Sequence, residues 1–286
     1  MSGRGPVRVA IVGAGLMGRW HAHAVKRAGG AVAASIDPDA ERAAQLAATH
    51  GARHASSLAE AASENGRAVP FDAVHICTPL GTHDSIARAA IDLGAHVLIE
   101  KPLASTGPET RDLLRYAEAR GVVLCPVHQF PFQSGVRRLL AARSLIGPIV
   151  HVDVVACSAG GGGDPVAREK VAADILPHPL SLFSSILDRP VAPLAWSVQR
   201  SSSGELRASS VAGDATLSLL VSMAGRPTAN TLRVIGARGT VHADLFHGFA
   251  VVERGTVSRS RKITHPFVFA GATLGVAANN LARRML

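Results

Sequence analysis

The first part of the chain alternates between two patterns of apolar and polar positions. Short apolar runs, which favour β-strands, are separated by alanine-rich stretches of helical character over residues 7–127. This alternation is typical of a parallel sheet covered by helices on both faces. The predicted strands are Val7–Val12, Ala31–Ile36, Ala73–Cys77, His96–Ile99 and Val122–Val127, with a short one at Arg53–Ala55, and the predicted helices are Leu16–Ala28, Asp39–His50, Ser57–Glu64, His83–Leu93 and Pro108–Arg120.

The pattern changes after residue 130, where β-like runs follow one another with few helices between them. We therefore predict two domains, a doubly wound α/β domain over residues 1–127 and an α+β domain with a largely antiparallel open sheet over residues 128–286. The elements predicted for the second domain are the strands Ile149–Cys157, Val191–Gln199, Ala215–Val221, Thr231–Ile235, Thr240–Leu245 and Ala250–Val252 and the helices Ser134–Arg143, Leu180–Leu187 and Ala272–Met285.

Composition excludes several classes of protein. With 47% hydrophobic and 18% charged residues in 286, the chain has the material for a large core. Every apolar run is broken well before the roughly 18 residues that cross a membrane, and Met1–Pro6 contains no apolar stretch typical of a leader. Cys77, Cys125 and Cys157 are far apart and lie in apolar segments, which predicts buried thiols and no zinc site. We expect a cytoplasmic protein without a membrane or metal partner.

The formal net charge of +9 raises the alternative of nucleic-acid binding. The arginines are scattered, however, and dense basic spots occur only at 137–138, 259–262 and 283–284. Solvated surface explains these spots, so we expect no nucleic-acid partner.

A glycine-rich turn follows the first predicted strand and opens a helix. In Gly13-Ala14-Gly15-Leu16-Met17-Gly18, the first glycine permits a tight turn, the second lets the backbone approach a pyrophosphate and the third lets helix and strand pack closely. The helix N-terminus adds unpaired N–H donors. This GxGxxG motif predicts a Rossmann domain whose dinucleotide contacts Gly13, Gly15, Leu16, Met17 and Gly18.

Asp37 follows the second predicted strand, 19 residues after Gly18, where a carboxylate accepts hydrogen bonds from the adenosine ribose. A carboxylate there repels the 2′-phosphate of NADP, and the neighbours Pro38 and Asp39 bring no cation. NAD is therefore favoured over NADP, although Arg42 leaves dual use open.

Two further motifs follow strands of the same predicted sheet. Thr78 and Pro79 come after a central strand, where the nicotinamide half of a dinucleotide lies, and His83 begins the next helix either at the cofactor or facing solvent. Glu100-Lys101-Pro102 follows the strand His96–Ile99. The alternative to a site is a simple turn, but a lysine beside a nicotinamide suits proton transfer or substrate orientation.

These motifs together resemble the glucose-fructose oxidoreductase, inositol dehydrogenase and rhizopine catabolism (Gfo/Idh/MocA) family. Thr78–Pro102 is similar to that family's TP…H…A…G.HV..EKP pattern almost throughout, and Arg233–Leu245 resembles its closing β-ribbon. The resemblance implies cofactor contacts at Thr78, Pro79, His83, Glu100 and Lys101, a second domain for substrate binding and oligomerisation, and a homo-oligomer. Relatives usually continue past the helix that ends here at Leu286, so the resemblance also implies a second domain without their C-terminal segment.

Asp174 and His178 precede the predicted helix Leu180–Leu187. Residues four apart share a helix face, whereas Pro177 and Pro179 favour a helix start, so the pair is otherwise a cap and a surface histidine. The resemblance implies that Asp174 and His178 supply the catalytic aspartate and histidine of a D-x-x-x-H segment, although the family often has glycine where this chain has Pro177.

The sequence as a whole predicts an NAD(P)-dependent dehydrogenase that acts on a secondary hydroxyl of a sugar, cyclitol or related polyol. In this hypothesis His178 is the general base, Asp174 orients it or binds a hydroxyl, and Lys101 holds the substrate oxygen. The alternative is a dinucleotide-binding sensor or pseudoenzyme of the same fold. The specificity residues are expected in second-domain loops such as Ser158–Lys170.

Overall fold

The computed structural model describes residues 5–64, 67–68, 70–158, 164–201, 205–255 and 259–285. The chain forms two compact units, residues 1–127 and residues 128–286, which we call the first and second domains. Each domain has hydrophobic core clusters of its own.

The first domain alternates strands and helices along the chain. Its strands are β1 (Arg8–Val12), β2 (Ala31–Ile36), β3 (Arg53–Ala55), β4 (Ser63–Glu64), β5 (Arg67–Ala68), β6 (Ala73–Ile76), β7 (His96–Ile99) and β8 (Leu124–Pro126). Its helices are α1 (Leu16–Arg27), α2 (Ala40–His50), α3 (Leu58–Ala61), α4 (His83–Asp92) and α5 (Gly107–Ala119). Within the described residues, six strands form one sheet in the order β3-β2-β1-β6-β7-β8, and every pair is parallel. The predicted doubly wound Rossmann sheet is confirmed.

The central strands of this sheet end at the same level. Val12 at the end of β1 lies opposite Ile36 of β2 on one side and Ile76 of β6 on the other, and Ile76 lies opposite Ile99 of β7. All four side chains are buried, as expected for a parallel sheet with helices on both faces. The segments that follow these strands therefore emerge side by side along one edge.

The second domain is built around a larger sheet. Its strands are β9 (Ile149–Cys157), β10 (Ser197–Arg200), β11 (Leu206–Ala212), β12 (Ala215–Ser222), β13 (Ala229–Gly236), β14 (Gly239–Asp244) and β15 (Phe249–Arg254), and its helices are α6 (Ser134–Ala141), α7 (Arg143–Ile146), α8 (Pro165–Ile175), α9 (Pro177–Leu187) and α10 (Arg259–Met285). In the described part of the domain, the strand order is β10-β11-β12-β9-β13-β14-β15. Only the β12–β9 pair is parallel there, which confirms the largely antiparallel sheet. Apolar residues of α6, α7 and α9 pack on one face of the sheet in a single core.

Several predicted elements of the second domain were wrong. Helix α8 occupies part of the predicted loop Ser158–Lys170 and was missed because its apolar residues do not gather on one face; residues 159–163 lie outside the described residues. The predicted strand Val191–Gln199 is reduced to β10, because the Val191 carbonyl accepts hydrogen bonds from Leu194 N and Trp196 Nε1 and folds the segment back.

Strand β11 and the first half of α10 were also missed. The buried positions of β11 are held mainly by small side chains such as Ala208 and Ala212, which give a weak apolar alternation. Helix α10 begins well before the predicted Ala272 and contains Pro266, a residue that usually ends a helix.

Two remaining expectations concern membranes and thiols. None of the described helices combines the length and apolarity that a bilayer crossing requires. Cys77 and Cys157 are partly buried, but Cys125 is exposed, so the prediction of three buried thiols was wrong at Cys125.

Candidate functional site

The glycines of the turn between β1 and α1 are needed for different structural reasons. Gly13 has a φ of +94°, donates its N–H to the Ile36 carbonyl at 2.8 Å, and would place a Cβ 2.7 Å from the Cys77 oxygen. A Cβ on Gly18 would lie 1.9 Å from the Gly13 oxygen. Gly15, in contrast, has an ordinary φ of −68°, and a Cβ added there would meet no atom within 4 Å. Gly13 and Gly18 are thus required by packing, whereas Gly15 faces open space.

Asp37 is fixed against this turn. Its Oδ2 accepts a hydrogen bond from Ala14 N at 2.8 Å and its Oδ1 accepts one from Asp39 N at 2.9 Å. Each carboxylate oxygen retains a further lone pair for another donor. The Arg42 guanidinium forms an exposed ion pair with Asp39, at 3.1 Å between Arg42 Nε and Asp39 Oδ2. The carboxylate of Asp37 is therefore oriented by the backbone before any ligand arrives.

A cavity of about 490 Å³ runs along this edge of the first-domain sheet. Its walls include Gly13, Gly15, Asp37, Thr78 and Pro79, which come from the ends of three different strands. A neighbouring cavity of about 700 Å³ is bounded in part by Gly15, Leu16 and Arg42. Concave space of this kind at the carboxyl ends of parallel strands is where open α/β sheets bind ligands.

The segment after β6 lines the same cavity. The Thr82 hydroxyl lies 2.8 Å from both Thr78 Oγ1 and the Pro79 carbonyl, and it makes no capping bond to α4. Burial, and after it the charge of Glu100, raises the pKa of the Cys77 thiol. Cys77 is thus a neutral wall of the cavity and not a nucleophile.

Glu100 is buried and has protein partners for both carboxylate oxygens. Its Oε1 lies 3.2 Å from His21 Nε2, and its Oε2 accepts a hydrogen bond from Lys101 N at 3.2 Å. Burial alone would raise the Glu100 pKa, but the hydrogen bond and charge of His21, with the Lys101 N–H, outweigh it and lower the pKa. Glu100 is consequently an ionised acceptor, and His21 Nε2 donates to it.

His75, on β6, continues this chain of polar side chains. Its Nδ1 lies 3.3 Å from His21 Nδ1, and the two rings meet edge to face with centroids 5.2 Å apart. Burial, and next the charge of His21, lowers the pKa of His75 to about 4. His75 is therefore neutral at pH 7.

His83 lies on the other side of the lysine segment. It is buried, with Nδ1 3.0 Å from the Pro102 oxygen and Nε2 2.9 Å from the Thr78 oxygen. The solvent-facing alternative considered for His83 is wrong, because its ring is enclosed between these two segments. Lys101 and Pro102 are partly exposed, whereas Glu100 before them is buried.

Asp174 and His178 lie in different helices of the second domain. Asp174 is exposed near the end of α8, and His178 is partly buried near the start of α9. Leu176 between them keeps helical dihedral angles, but Pro177 and Pro179 have no N–H to continue the hydrogen-bond ladder. The His178 ring stacks on Phe130, with centroids 4.2 Å apart and planes 9° from parallel.

Sequence reasoning missed His21 and His75. A signal for His21 was present, because it falls on the helix face shared by the buried residues Gly18, Ala22 and Val25. No local pattern announces His75, whose position on a central strand is typical of an apolar residue. Among the described residues, no group of three or more His, Cys, Asp or Glu side chains is arranged to hold a metal ion.

Comparison with known proteins agrees with this geometry. Residues 7–128 match the GFO_IDH_MocA model, described as an oxidoreductase family with an NAD-binding Rossmann fold. The first domain is therefore similar to the Rossmann domain of the Gfo/Idh/MocA oxidoreductase family. Scyllo-inositol 2-dehydrogenase (NADP(+)) IolU of Bacillus subtilis (strain 168) is 39% identical over 111 residues, which are 38% of this chain and 33% of the relative.

A longer match extends the Gfo/Idh/MocA resemblance past the first domain. The 1,5-anhydro-D-fructose reductase of Ensifer adhaerens is 31% identical over 187 residues, 65% of this chain and 50% of the reductase. The crystal structure of GenD2 from gentamicin A biosynthesis, in complex with NAD, is similar with a TM-score of 0.69 and 28% identity over 87% of this chain and 76% of GenD2. The matched stretches span half or less of the two curated relatives.

The two classes of glycine give a paired prediction. Gly18→Ala should lower the free energy of unfolding by about 2 kcal/mol or more, because the new methyl group overlaps backbone. Gly15→Ala should leave thermal stability near wild type but weaken NADH binding by about tenfold or more, since the methyl group would block close approach of a pyrophosphate. Calorimetry and NADH fluorescence titration measure the two effects. Equal NADH affinity in Gly15→Ala and wild type would contradict this division of roles.

The lowered pKa of His75 predicts that acid lowers the stability of the folded protein. Its pKa is about 4 in the folded protein and 6.5 ordinarily, so below pH 6.5 the unfolded chain binds a proton that the folded protein does not. The free energy of unfolding should therefore fall by about 2 kcal/mol between pH 6.5 and 4.5 through this group alone. Urea unfolding should show a smaller fall in His75→Gln, whereas His54→Gln, at an exposed position of the same sheet, should behave as wild type. Identical pH slopes for His75→Gln and wild type would refute the assignment.

Proposed function

We propose that this protein is an NAD(P)-dependent oxidoreductase that moves a hydride between a nicotinamide cofactor and a secondary hydroxyl or carbonyl of a sugar, cyclitol or related polyol. The observation that carries the proposal is the row of strand ends in the first domain, where the glycine turn, Asp37, Thr78 and Lys101 follow adjacent parallel strands. Relatives named as an inositol dehydrogenase and an anhydrofructose reductase support the substrate class.

The residues of the first cavity suit a dinucleotide. Gly15 would admit the pyrophosphate, Asp37 would accept hydrogen bonds from the adenosine ribose, and Thr78 and Pro79 would lie along the nicotinamide half. The bound cofactor would supply the hydride acceptor or donor at its nicotinamide ring. We propose NAD as the preferred cofactor, because the fixed carboxylate of Asp37 would repel a 2′-phosphate and Arg42 is already paired with Asp39.

The chain's own side chains would handle the proton. In the direction of oxidation His178 takes the proton of the substrate hydroxyl, and Lys101 donates a hydrogen bond to the same oxygen and stabilises its developing negative charge. Asp174 orients His178 or binds another hydroxyl of the substrate. Stacking on the Phe130 ring keeps the His178 ring in one plane. Less conformational freedom of His178 is therefore lost when the substrate binds. Reduction uses the same groups in reverse.

Turnover of variants tests these roles. Lys101→Ala and His178→Ala should each lower turnover by about 10²-fold to 10⁴-fold, the usual contribution of a positioned acid or base, and should keep NADH affinity near wild type. Absorbance of the reduced nicotinamide with a panel of sugars and polyols gives the rate, and fluorescence gives the affinity. Lys26→Ala, at an exposed lysine of α1, is the matched control. If turnover is unchanged in both variants, the proposed roles of Lys101 and His178 are wrong. If wild type binds NADH but turns over no compound of the panel, the alternative of a dinucleotide-binding sensor is favoured.

Cofactor preference is tested at Asp37. Asp37→Asn removes the charge and keeps an oxygen to accept the Ala14 N–H, so it should raise the ratio of kcat/KM for NADP to kcat/KM for NAD by about tenfold or more. A general loss of activity lowers both values of kcat/KM and therefore leaves their ratio unchanged. Asp39→Asn, next to the exposed Arg42, should shift the ratio less. If the ratio is unchanged in Asp37→Asn, the proposal that Asp37 makes NAD the preferred cofactor is wrong.

A further inference from the structure

Two buried histidines contact the Glu100-Lys101-Pro102 segment from different helices. His21 belongs to α1 and reaches the segment through the Glu100 side chain, whereas His83 belongs to α4 and reaches it through the Pro102 carbonyl. Their exposed fractions are only 8% and 2%. We propose that His21 and His83 are positioning residues that hold this segment on both sides of Lys101 and thereby aim its ammonium group. The proposal rests on the function proposed above for Lys101.

The contact on the Glu100 side continues to the lysine backbone. His21 Nε2 donates to Glu100 Oε1 at 3.2 Å, and Glu100 Oε2 accepts the Lys101 N–H at 3.2 Å. The carboxylate thus connects helix α1 to the amide of the lysine. A charge-assisted hydrogen bond to a buried carboxylate is stronger and more directional than one between neutral groups.

The contact at Pro102 also connects the Glu100-Lys101-Pro102 segment to the Thr78-Pro79 segment. His83 Nδ1 lies 3.0 Å from the Pro102 oxygen, and His83 Nε2 lies 2.9 Å from the Thr78 oxygen. Both oxygens are acceptors, so the imidazole in its neutral form donates to one of them and packs against the other. In either tautomer the ring lies between the Thr78-Pro79 segment, which lines the cavity, and the residue that follows Lys101. In the function proposed above the nicotinamide would lie along Thr78, and the His83 ring would hold the backbone next to Lys101 close to it.

Lysine needs such support more than most catalytic residues. Its side chain has four rotatable bonds, so only a fixed backbone keeps the ammonium within a small volume. A misplacement of about 1 Å at a reacting centre costs about 10²-fold in rate. Two anchors, one on each side of Lys101, restrict translation and tilt of its backbone in a way that one anchor cannot.

The two nitrogens of His83 allow a discriminating experiment. Asparagine places its amide nitrogen near the Nδ1 position and glutamine near the Nε2 position, so His83→Asn can keep the Pro102 contact and His83→Gln the Thr78 contact. By the same logic His21→Gln can still donate to Glu100, and His21→Ala cannot. His54→Asn, at an exposed position of β3, is the control.

We expect His21→Ala and His83→Ala to lower kcat by about 10-fold to 10²-fold with KM and NADH affinity changed little. His21→Gln and His83→Asn should recover most of kcat, and His83→Gln should recover less. Hydrogen exchange of the peptide that spans residues 100–105 should be faster in both alanine variants and near wild type in the rescued ones. His54→Asn should match wild type in every measurement.

Exchange and kcat unchanged in His21→Ala and His83→Ala, while Lys101→Ala is inactive, would overturn the positioning proposal. Equal kcat in His83→Asn and His83→Gln would also overturn it, because the Pro102 contact would then have no separate effect. If Lys101→Ala keeps full turnover, the proposed function fails, and the exchange rates alone still decide whether the histidines hold the segment. Should the alanine variants fail to fold, the glutamine and asparagine variants carry the same comparison.

Discussion

The register of the parallel sheet in the first domain is the constraint on which the candidate site depends. Ile36, Val12, Ile76 and Ile99 lie in one row because each is opposite its neighbour across the sheet and each is buried. The chain leaves the sheet directly after each of them, into Asp37, Gly13, Cys77 and Glu100. Four segments that are far apart in sequence are thereby placed along one edge, within hydrogen-bonding distance of one another.

Close packing along that edge explains why small residues and buried polar groups occur together. The glycine turn passes so near Cys77 that no side chain fits at Gly13, and α1 approaches so near the turn that none fits at Gly18. Helix α1 then carries His21 under the sheet edge, where the imidazole meets Glu100. The same close approach therefore also brings a buried hydrogen-bond donor to the segment that carries Lys101.

Burying these polar groups has a thermodynamic cost that the hydrogen bonds offset. Glu100 keeps its charge because His21 and the Lys101 N–H satisfy it, whereas His75 remains neutral because its surroundings desolvate it without a carboxylate partner at its Nδ1. A core made only of apolar side chains would be cheaper to fold. In the positioning role proposed above, the polar arrangement would instead give the Glu100-Lys101-Pro102 segment one preferred position.

The sequence by itself determined the elements and motifs that depend on local chemistry. Periodicity located the Rossmann strands, the spacing of Gly13, Gly15 and Gly18 indicated a dinucleotide turn, and Glu100-Lys101-Pro102 after β7 indicated chemistry at the sheet edge. Tertiary structure alone decided what depends on contacts distant in sequence. These include the enclosure of His83 between Thr78 and Pro102, the joining of His21 to Glu100 across 79 residues, and the stacking of His178 on Phe130. Helix α8 and strand β11 also escaped prediction, because packing of the whole domain stabilises them and neither has a clear local apolar pattern.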